Sequence, residues 1–251
     1  MSTYLEERIE WYDHNYRMGT PLISDDQFDQ LEANLFRVNP KANYFTNKKL
    51  LPLPSLPKDQ IEEFIEGLLP DTRIIIEPKI DGCAIAIQYI DGELVKAISR
   101  KGKDCTEKIK AVPDVPNKIN IQGLFQVRGE LFAPSECERP TYSQRQAGGY
   151  LRAASSESDH ISFCAFQIIN GRLNQHDSLV YLKKLGLTIP EYKSCNFTSQ
   201  IQVYRKQWAD KKLFINYPTD GIVVKINSRK FQLIREKSTG CYPFWQMAIK
   251  Y

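Results

Sequence analysis

Residues 73–99 read RIIIEPKIDGCAIAIQYIDGELVKAIS, and this stretch decides the fold class. Short apolar runs flank Asp91-Gly92, a dipeptide that favours a two-residue hairpin turn. The pattern predicts one strand at 73–76 and a hairpin formed by strands at 83–89 and 93–98. We therefore expect antiparallel β-structure at the centre of the chain.

Further strands and helices are predicted on the C-terminal side of this hairpin. Apolar β-rich runs predict strands at 125–132, 161–169, 221–226 and 245–251. Leu179, Leu182 and Leu185 before Gly186 predict a helix with a glycine stop, and a further helix is expected over 201–211. The predicted fold class is α+β, with antiparallel sheets and flanking helices.

The N-terminal residues have the pattern of a small helical hairpin. Thr3 with Glu6, and Ser24 with Gln27, match the capping box that begins a helix. We place this helical domain at 1–47. Pro52, Pro54 and Pro57 then exclude a regular helix and predict an extended linker, which opens a second domain at 48–251.

Composition excludes several classes of protein. The chain has 251 residues, of which 42% are hydrophobic and 25% charged, as in ordinary globular proteins. We expect a cytoplasmic protein (in the host cytoplasm if it is viral) with no membrane partner, because no membrane-length apolar run or signal peptide is present. The six cysteines form no CxxC motif, so we predict neither a disulfide framework nor a structural zinc site.

The charge is unevenly distributed along the chain. Residues 1–35 contain two basic and eight acidic side chains, whereas residues 201–251 contain ten basic and three acidic ones. A basic C-terminal part suits phosphate or nucleic acid, and it is equally compatible with a solvated surface.

Lys79 is the first candidate for chemistry, since we expect it in a tight loop between a strand and the hairpin. A nucleophilic lysine must be unprotonated, but a lysine amine has an ordinary pKa of about 10.4, so neighbouring cations are required. Lys225 and Lys250 each end an apolar run, where strand alternation would direct the side chain inward. An inward lysine needs an anion, and phosphate oxygens supply one.

Five segments together resemble the covalent nucleotidyltransferases, which comprise ATP- and NAD-dependent DNA ligases, RNA ligases and mRNA capping enzymes. In order, they are Lys79-Ile80-Asp81-Gly82, Ser99-Arg100-Lys101-Gly102, Val127-Arg128-Gly129-Glu130-Leu131-Phe132, and the runs 220–225 and 245–251. The first segment alone is a weak match, but the ordered set is specific. The resemblance implies a covalent nucleotidyltransferase (ATP-grasp-like) adenylation domain at 48–251, with Lys79 as the residue that accepts AMP.

The NAD-dependent branch of the family is indicated by the helical hairpin. Members carry a helical domain that binds the nicotinamide mononucleotide half of NAD, and Asp25, Phe28 and Asp29 match its acidic and aromatic positions. Tyr16 matches another nicotinamide-facing position, whereas Asn15 stands where the family usually has a tyrosine. Outside the resemblance, an aspartate such as Asp25 is simply favoured in the first turn of a helix.

The resemblance also implies roles for residues around Lys79. Asp81 would orient the active loop or help to place metal, and Glu77 would bind adenine while Phe166 stacks on it. The remaining matches are Arg100 and Glu130 for ribose, phosphate or metal, Ser55 and Leu56 for the pocket wall, Lys225 and Lys250 for phosphate, and Arg145 and Arg152 for phosphate or DNA.

The implied reaction uses NAD and Mg²⁺ to adenylate Lys79 and then passes AMP to the 5′-phosphate of nicked duplex DNA. The chain lacks the oligonucleotide-binding, zinc and helix-hairpin-helix domains of complete ligases. We expect a second subunit to carry them, as in split bacteriophage ligases, and a truncated chain would look the same. The alternatives are an ATP-dependent polynucleotide ligase or capping-type enzyme, and a non-catalytic module that binds NAD or a nucleic-acid end.

Overall fold

The computed structural model describes residues 2–17, 22–39, 42, 44, 56, 58–100, 102–136, 138–154, 157–169, 171–196, 198–237 and 245–250. The strands are β1 (Ile74–Ile80), β2 (Cys83–Ile90), β3 (Glu93–Ser99), β4 (Leu124–Phe132), β5 (Ser162–Ile168), β6 (Lys193–Cys195), β7 (Thr219–Ile226) and β8 (Gln246–Ile249). The helices are α1 (Ser2–Arg17), α2 (Asp25–Val38), α3 (Ile61–Ile65), α4 (Thr106–Lys110), α5 (Pro140–Arg152), α6 (Gln175–Lys184), α7 (Gln200–Ala209) and α8 (Arg229–Lys237), with a short 3₁₀ helix at Pro134–Glu136.

The strands form two antiparallel sheets of four strands each. The first sheet has the order β6-β1-β7-β8, and the second has the order β3-β2-β4-β5. The predicted α+β class and the predicted strands are confirmed, including the hairpin at Asp91-Gly92, where both residues have positive φ angles of 48° and 80°. Strand β6 was not predicted, because three residues give too little alternation to recognise.

The helix predictions are confirmed in part. Ser24 and Gln27 form the expected capping box at α2, and Gly186 has the left-handed φ of 86° that ends α6. The prediction of Thr3 as a capping residue is wrong, because α1 already begins at Ser2. Helices α3, α4, α5 and α8 were not predicted, and most of the predicted linker lies outside the described residues.

Each sheet buries one apolar face under helices. In the first sheet, Ile74, Ile76 and Val224 pack in one core with residues of α3 and α7. In the second sheet, Ile85 and Phe163 pack with residues of α4, α5 and α6. Since side chains alternate along a strand, the polar residues of β1, β4 and β7 lie on the opposite faces, and the two sheets meet there.

The helices α1 and α2 pack against each other and against one end of the second sheet. Their core includes Ile9 and Leu35, and it extends to Ile90 of β2 and Leu124 of β4. Ile90 pairs with Leu124 at one end of these strands, whereas Cys83 lies at the other end, next to the segment that carries Lys79. The helical hairpin formed by α1 and α2 is thus about 23 Å from that segment along β2, at about 3.3 Å per residue. Within the described residues, no helix is both long and apolar enough to cross a membrane.

Candidate active site

Lys79 lies inside β1, close to its end, and not in a loop as predicted. The pairing of β1 with β7 shifts register between Pro78 and Ile80, so that Lys79 lies opposite two residues of β7, Asp220 and Gly221, which form a β-bulge. A bulge bends the strand and redirects the side chain that it carries, and bulges are frequent beside active sites. The irregular pairing therefore gives Lys79 a distinct position at the end of β1, in place of the tight loop that the sequence suggested.

Asp220, at the start of β7, binds two lysines at once. Its Oδ1 lies 2.6 Å from Lys79 Nζ, and its Oδ2 accepts a hydrogen bond from Lys250 Nζ. We name Lys79, Asp220 and Lys250 the open cluster, because their side chains retain between 21% and 32% of their solvent exposure. Sequence reasoning did not select Asp220, although it begins the apolar run that ends in Lys225.

The two lysines of the open cluster determine the titration of its carboxylate. Burial alone would raise the pKa of Asp220, but hydrogen bonds from Lys250 and Lys79 outweigh burial and lower this pKa. The hydrogen bond to Asp220 raises the pKa of Lys250 against the effect of burial. Nearby Asp81 has a raised pKa, first because of burial and second because of the charge on Asp220. The ionised state of Asp220 is thus favoured at neutral pH.

Lys250 is also held through its backbone. Its N–H donates to Asp59 Oδ1 over 2.8 Å, and the Asp59 N–H donates to the Ala248 carbonyl over 2.9 Å. Asp59 has a left-handed φ of 55°, which aspartate tolerates better than most residues. This residue, missed in the sequence analysis, follows the segment that contains Leu56.

Glu77 and Lys225 form a second ion pair, which is buried. Glu77 lies in β1 two residues before Lys79, and Lys225 lies in β7. Lys225 Nζ lies 2.7 Å from Glu77 Oε2, and the side chains are only 2% and 3% exposed. Burial lowers the pKa of Lys225 although Glu77 opposes the shift. The inward direction expected for Lys225 is confirmed.

Phe166 joins this pair to the second sheet. Its carbonyl oxygen accepts a hydrogen bond from Lys225 Nζ over 3.1 Å, and the same ammonium lies 4.8 Å from the centroid of the Phe166 ring. Gln175, which was not predicted as a site residue, donates to Glu77 Oε1 over 2.8 Å and to the Phe166 carbonyl over 2.9 Å. These contacts connect the two sheets beside Glu77.

Glu130 and Arg100 lie on the second-sheet side of the open cluster. Burial raises the pKa of Glu130 to about 8, although the charges of Arg100 and Lys79 oppose the shift. Gly82 allows this approach, since a Cβ at this position would lie 2.1 Å from the Leu131 carbonyl oxygen. A side chain at Gly82 would therefore push the segment that follows Lys79 away from β4.

The other candidate residues lie further from Lys79 or outside the described residues. Arg145 and Arg152 are exposed on α5, and Arg152 contributes to the electrostatic surroundings of Cys83 at the start of β2. Leu56 is partly exposed, and Phe28 packs in the core of the helical hairpin. Ser55 and the side chains of Tyr16, Asp25 and Asp29 lie outside the described residues.

The structure thus brings Lys79, Asp81, Glu130 and the two inward lysines together between the sheets, with Glu77 and Phe166 beside them. Among the described residues, no group of three or more His, Cys, Asp or Glu side chains is arranged to hold a metal ion without other ligands. Two antiparallel sheets with lysines and carboxylates between them are the arrangement that the resemblance to covalent nucleotidyltransferases implied.

Comparisons with known proteins identify the family. The family described as the NAD-dependent DNA ligase adenylation domain matches residues 56–251, so the chain belongs to this family. Similar proteins include a DNA ligase of Pseudothermotoga lettingae, 30% identical over 98% of this chain and 44% of that protein. A DNA ligase of Petrotoga mobilis is 27% identical over 99% of this chain and 45% of that protein. The chain therefore spans less than half the length of these relatives.

Solved structures with a similar arrangement are more distant. A putative ATP-dependent DNA ligase from Aquifex aeolicus has a TM-score of 0.47 at 16% identity, over 79% of this chain and 48% of that one. A mycobacterial DNA ligase D has a TM-score of 0.45 at 18% identity, over 71% and 55% of the two chains.

Proposed function

We propose that this chain transfers AMP from NAD to the side-chain amine of Lys79 and releases nicotinamide mononucleotide. The observation that carries the proposal is the position of Lys79 opposite the β-bulge of β7, on the same carboxylate as Lys250. The adenylation-domain family supports NAD as the donor. DNA ligases with this domain use the adenylated lysine to seal nicks.

The proposed step is a displacement at the α-phosphorus of NAD. The unprotonated Lys79 amine attacks, a nitrogen–phosphorus bond forms, and the bond from phosphorus to the oxygen of the nicotinamide mononucleotide phosphate breaks. The electron pair leaves with that oxygen, and the amine gives up one proton to solvent. Since a protonated amine has no free electron pair, the ion pair between Lys79 and Asp220 must open first.

Lys250 and Lys225 would receive the charge of the phosphates. Both ammonium groups now bind carboxylates, Asp220 and Glu77, and phosphate oxygens can replace those partners. Positive charge fixed near the transferred phosphoryl group stabilises the transition state. Glu77 and Phe166 would bind the adenine base next to this site.

Mg²⁺ fits the carboxylates of Asp81 and Glu130. Burial raises the pKa of both groups, because the positive charge around them is too small to compensate for lost solvation. A bound cation would therefore stabilise both carboxylates in their ionised form. Magnesium in proteins is typically held by one or two carboxylates together with substrate phosphates. When bound, the ion would supply charge neutralisation on phosphate oxygens.

The proposed division of the chain is a nicotinamide mononucleotide domain at 1–47 and an adenylation domain at 48–251. The residues implied for nicotinamide, Tyr16, Asp25, Phe28 and Asp29, belong to the hairpin, which packs on Ile90 and Leu124. Because in-line displacement requires an aligned leaving group, we propose that the hairpin leaves this end of the sheet and covers the leaving half of NAD.

Nick sealing is proposed for this chain together with further ligase domains. AMP would move to the 5′-phosphate at a nick in duplex DNA, and the 3′-hydroxyl would displace it. The exposed Arg145 and Arg152 would contact phosphate or DNA. The further domains would be supplied by the same polypeptide or by a partner subunit, and binding should weaken with salt as phosphate contacts do.

The test is the intact mass of the purified chain after incubation with NAD and Mg²⁺, with ATP and GTP in parallel. We expect a gain of one AMP from NAD only. Lys79→Ala should give no adduct, whereas the matched Lys118→Ala, at an exposed lysine that pairs with Glu93, should be adenylated normally. An adduct from ATP would assign the chain to the other ligase branch, and no adduct from any donor would contradict an enzymatic role.

A further inference from the structure

Gln175 is a buried amide that connects the two sheets at the proposed base pocket. It is the first residue of α6, its side chain belongs to a residue only 3% exposed, and its backbone N–H donates to the Asn227 carbonyl over 2.9 Å. The helix start is thereby tied to the loop after β7. The side chain has little freedom to move, because its backbone is held by this hydrogen bond and the residue is buried.

The Gln175 amide nitrogen donates to one atom of each sheet. It lies 2.8 Å from Glu77 Oε1 in β1 and 2.9 Å from the Phe166 carbonyl oxygen in β5. An amide NH₂ has two donors, so these two hydrogen bonds use its full donor capacity. Gln175 therefore fixes the carboxylate and the aromatic residue relative to each other.

Lys225 holds the same two partners from the other side. Its ammonium binds Glu77 Oε2 over 2.7 Å and the Phe166 carbonyl over 3.1 Å. In the proposed function, Lys225 turns toward phosphate, so its hold on Glu77 weakens when the nucleotide binds. Gln175 is uncharged and is not drawn toward phosphate as Lys225 is. Its hydrogen bond can therefore keep the Glu77 carboxylate in place.

We propose that Gln175 is a positioning residue that sets the selectivity of the site for adenine, an inference that rests on the proposed function. A carboxylate accepts hydrogen bonds only, so Glu77 matches the 6-amino donor of adenine and opposes the 6-oxo acceptor of hypoxanthine or guanine. This discrimination requires a fixed carboxylate. Without Gln175, Glu77 is free to rotate with Lys225, and the preference for a 6-amino group falls.

The experiment compares nucleotide transfer to Lys79 from NAD and from nicotinamide hypoxanthine dinucleotide, which carries a 6-oxo group. The wild-type chain with Mg²⁺ is expected to prefer NAD. Gln175→Met keeps the length of the side chain and removes the donors, so the second-order rate constant for adenylation by NAD should fall about 10- to 100-fold, as for loss of a hydrogen bond to a charged group. The value for the hypoxanthine analogue should change little, and the NAD preference should shrink by the same factor.

The matched control is Gln126→Met. Gln126 is also buried, at 4% exposure, and its amide donates to Gln88 Oε1 over 2.9 Å within the second sheet. It should leave the NAD preference unchanged even if it lowers stability. Gln175→Leu serves as a second variant, and the fraction of folded protein cancels because both donors are measured on one preparation.

The possible results separate the inference from the function on which it rests. An unchanged NAD preference in both Gln175 variants, or an equal loss with both donors, would overturn the role of Gln175 and leave adenylation intact. If the wild-type chain is adenylated without preferring NAD over the analogue, Glu77 does not recognise the 6-amino group. The proposed role of Gln175 is then wrong as well. No adduct on the wild-type chain would instead overturn the proposed function itself.

Discussion

The open cluster and the buried pair use the same two chemical groups, a lysine ammonium and a carboxylate, on neighbouring positions of the same strands. Lys79 and its partner Asp220 are 21% and 25% exposed, whereas Lys225 and Glu77 are 2% and 3% exposed. An ion pair in contact with solvent contributes only about 0–1 kcal/mol, so the partly exposed pair of Lys79 and Asp220 opens more easily than a buried pair. A buried pair is costly to break from one side, because the remaining charge stays desolvated. The difference in burial thus makes the ion pair of Lys79 easier to open than the ion pair of Lys225.

Loss of Lys79 should give the largest functional effect. Lys79→Arg keeps the positive charge beside Asp220 and removes the amine that forms the phosphoramidate, so we expect no AMP adduct by intact mass. The free energy of unfolding in urea should change by less than about 1 kcal/mol, as for an exposed pair. An adduct on Lys79→Arg would place the nucleophile elsewhere.

Breaking the buried pair should give the largest change in stability. Lys225→Met leaves the Glu77 carboxylate buried without its cation, and we expect the free energy of unfolding to fall by about 3–5 kcal/mol. The double variant Glu77→Gln/Lys225→Met should lose less than the sum of the single variants, because neither charge is left alone. Additive losses in urea unfolding would show that the two residues are not coupled.

Glu130 tests burial of a carboxyl group that has no lysine hydrogen bond. Its pKa is raised to about 8, chiefly by burial, so its contribution to stability is present below its ordinary pKa of about 4.5. That contribution is lost as the pH rises through about 8, and without Mg²⁺ we expect a decrease of about 2–4 kcal/mol. Glu130→Gln should flatten this dependence in urea unfolding between pH 4.5 and 8, and a wild-type decrease retained in the variant would assign it to another group.

Asp220 should show a smaller dependence of opposite sign. Its pKa is lowered, because hydrogen bonds from Lys250 and Lys79 outweigh burial. The stability that it contributes is present above its ordinary pKa of 3.8 and is lost as the pH falls through the lowered value in the folded protein. Asp220→Asn should cost about 1 kcal/mol or less at pH 7. A loss as large as that of Lys225→Met would remove the distinction between the two clusters.

The sequence by itself determined the elements that depend on local physics. The hairpin at Asp91-Gly92, the capping box at Ser24 and the stop at Gly186 were predictable because turn and cap residues act on their immediate neighbours. Lys225 was predictable as an inward lysine because it ends an apolar strand run. The ordered motifs also identified the family, since each keeps its residue types at short spacing.

Only the tertiary structure decided which side chains meet. Lys79 and Asp220 are separated by 141 residues, and their contact depends on the pairing of β1 with β7 and on the bulge of β7 opposite Lys79. Gln175 reaches Glu77 across 98 residues, and the hairpin packs on the far end of the second sheet. Register, bulges and the packing of two sheets arise from long-range burial, and no local pattern in the chain records them.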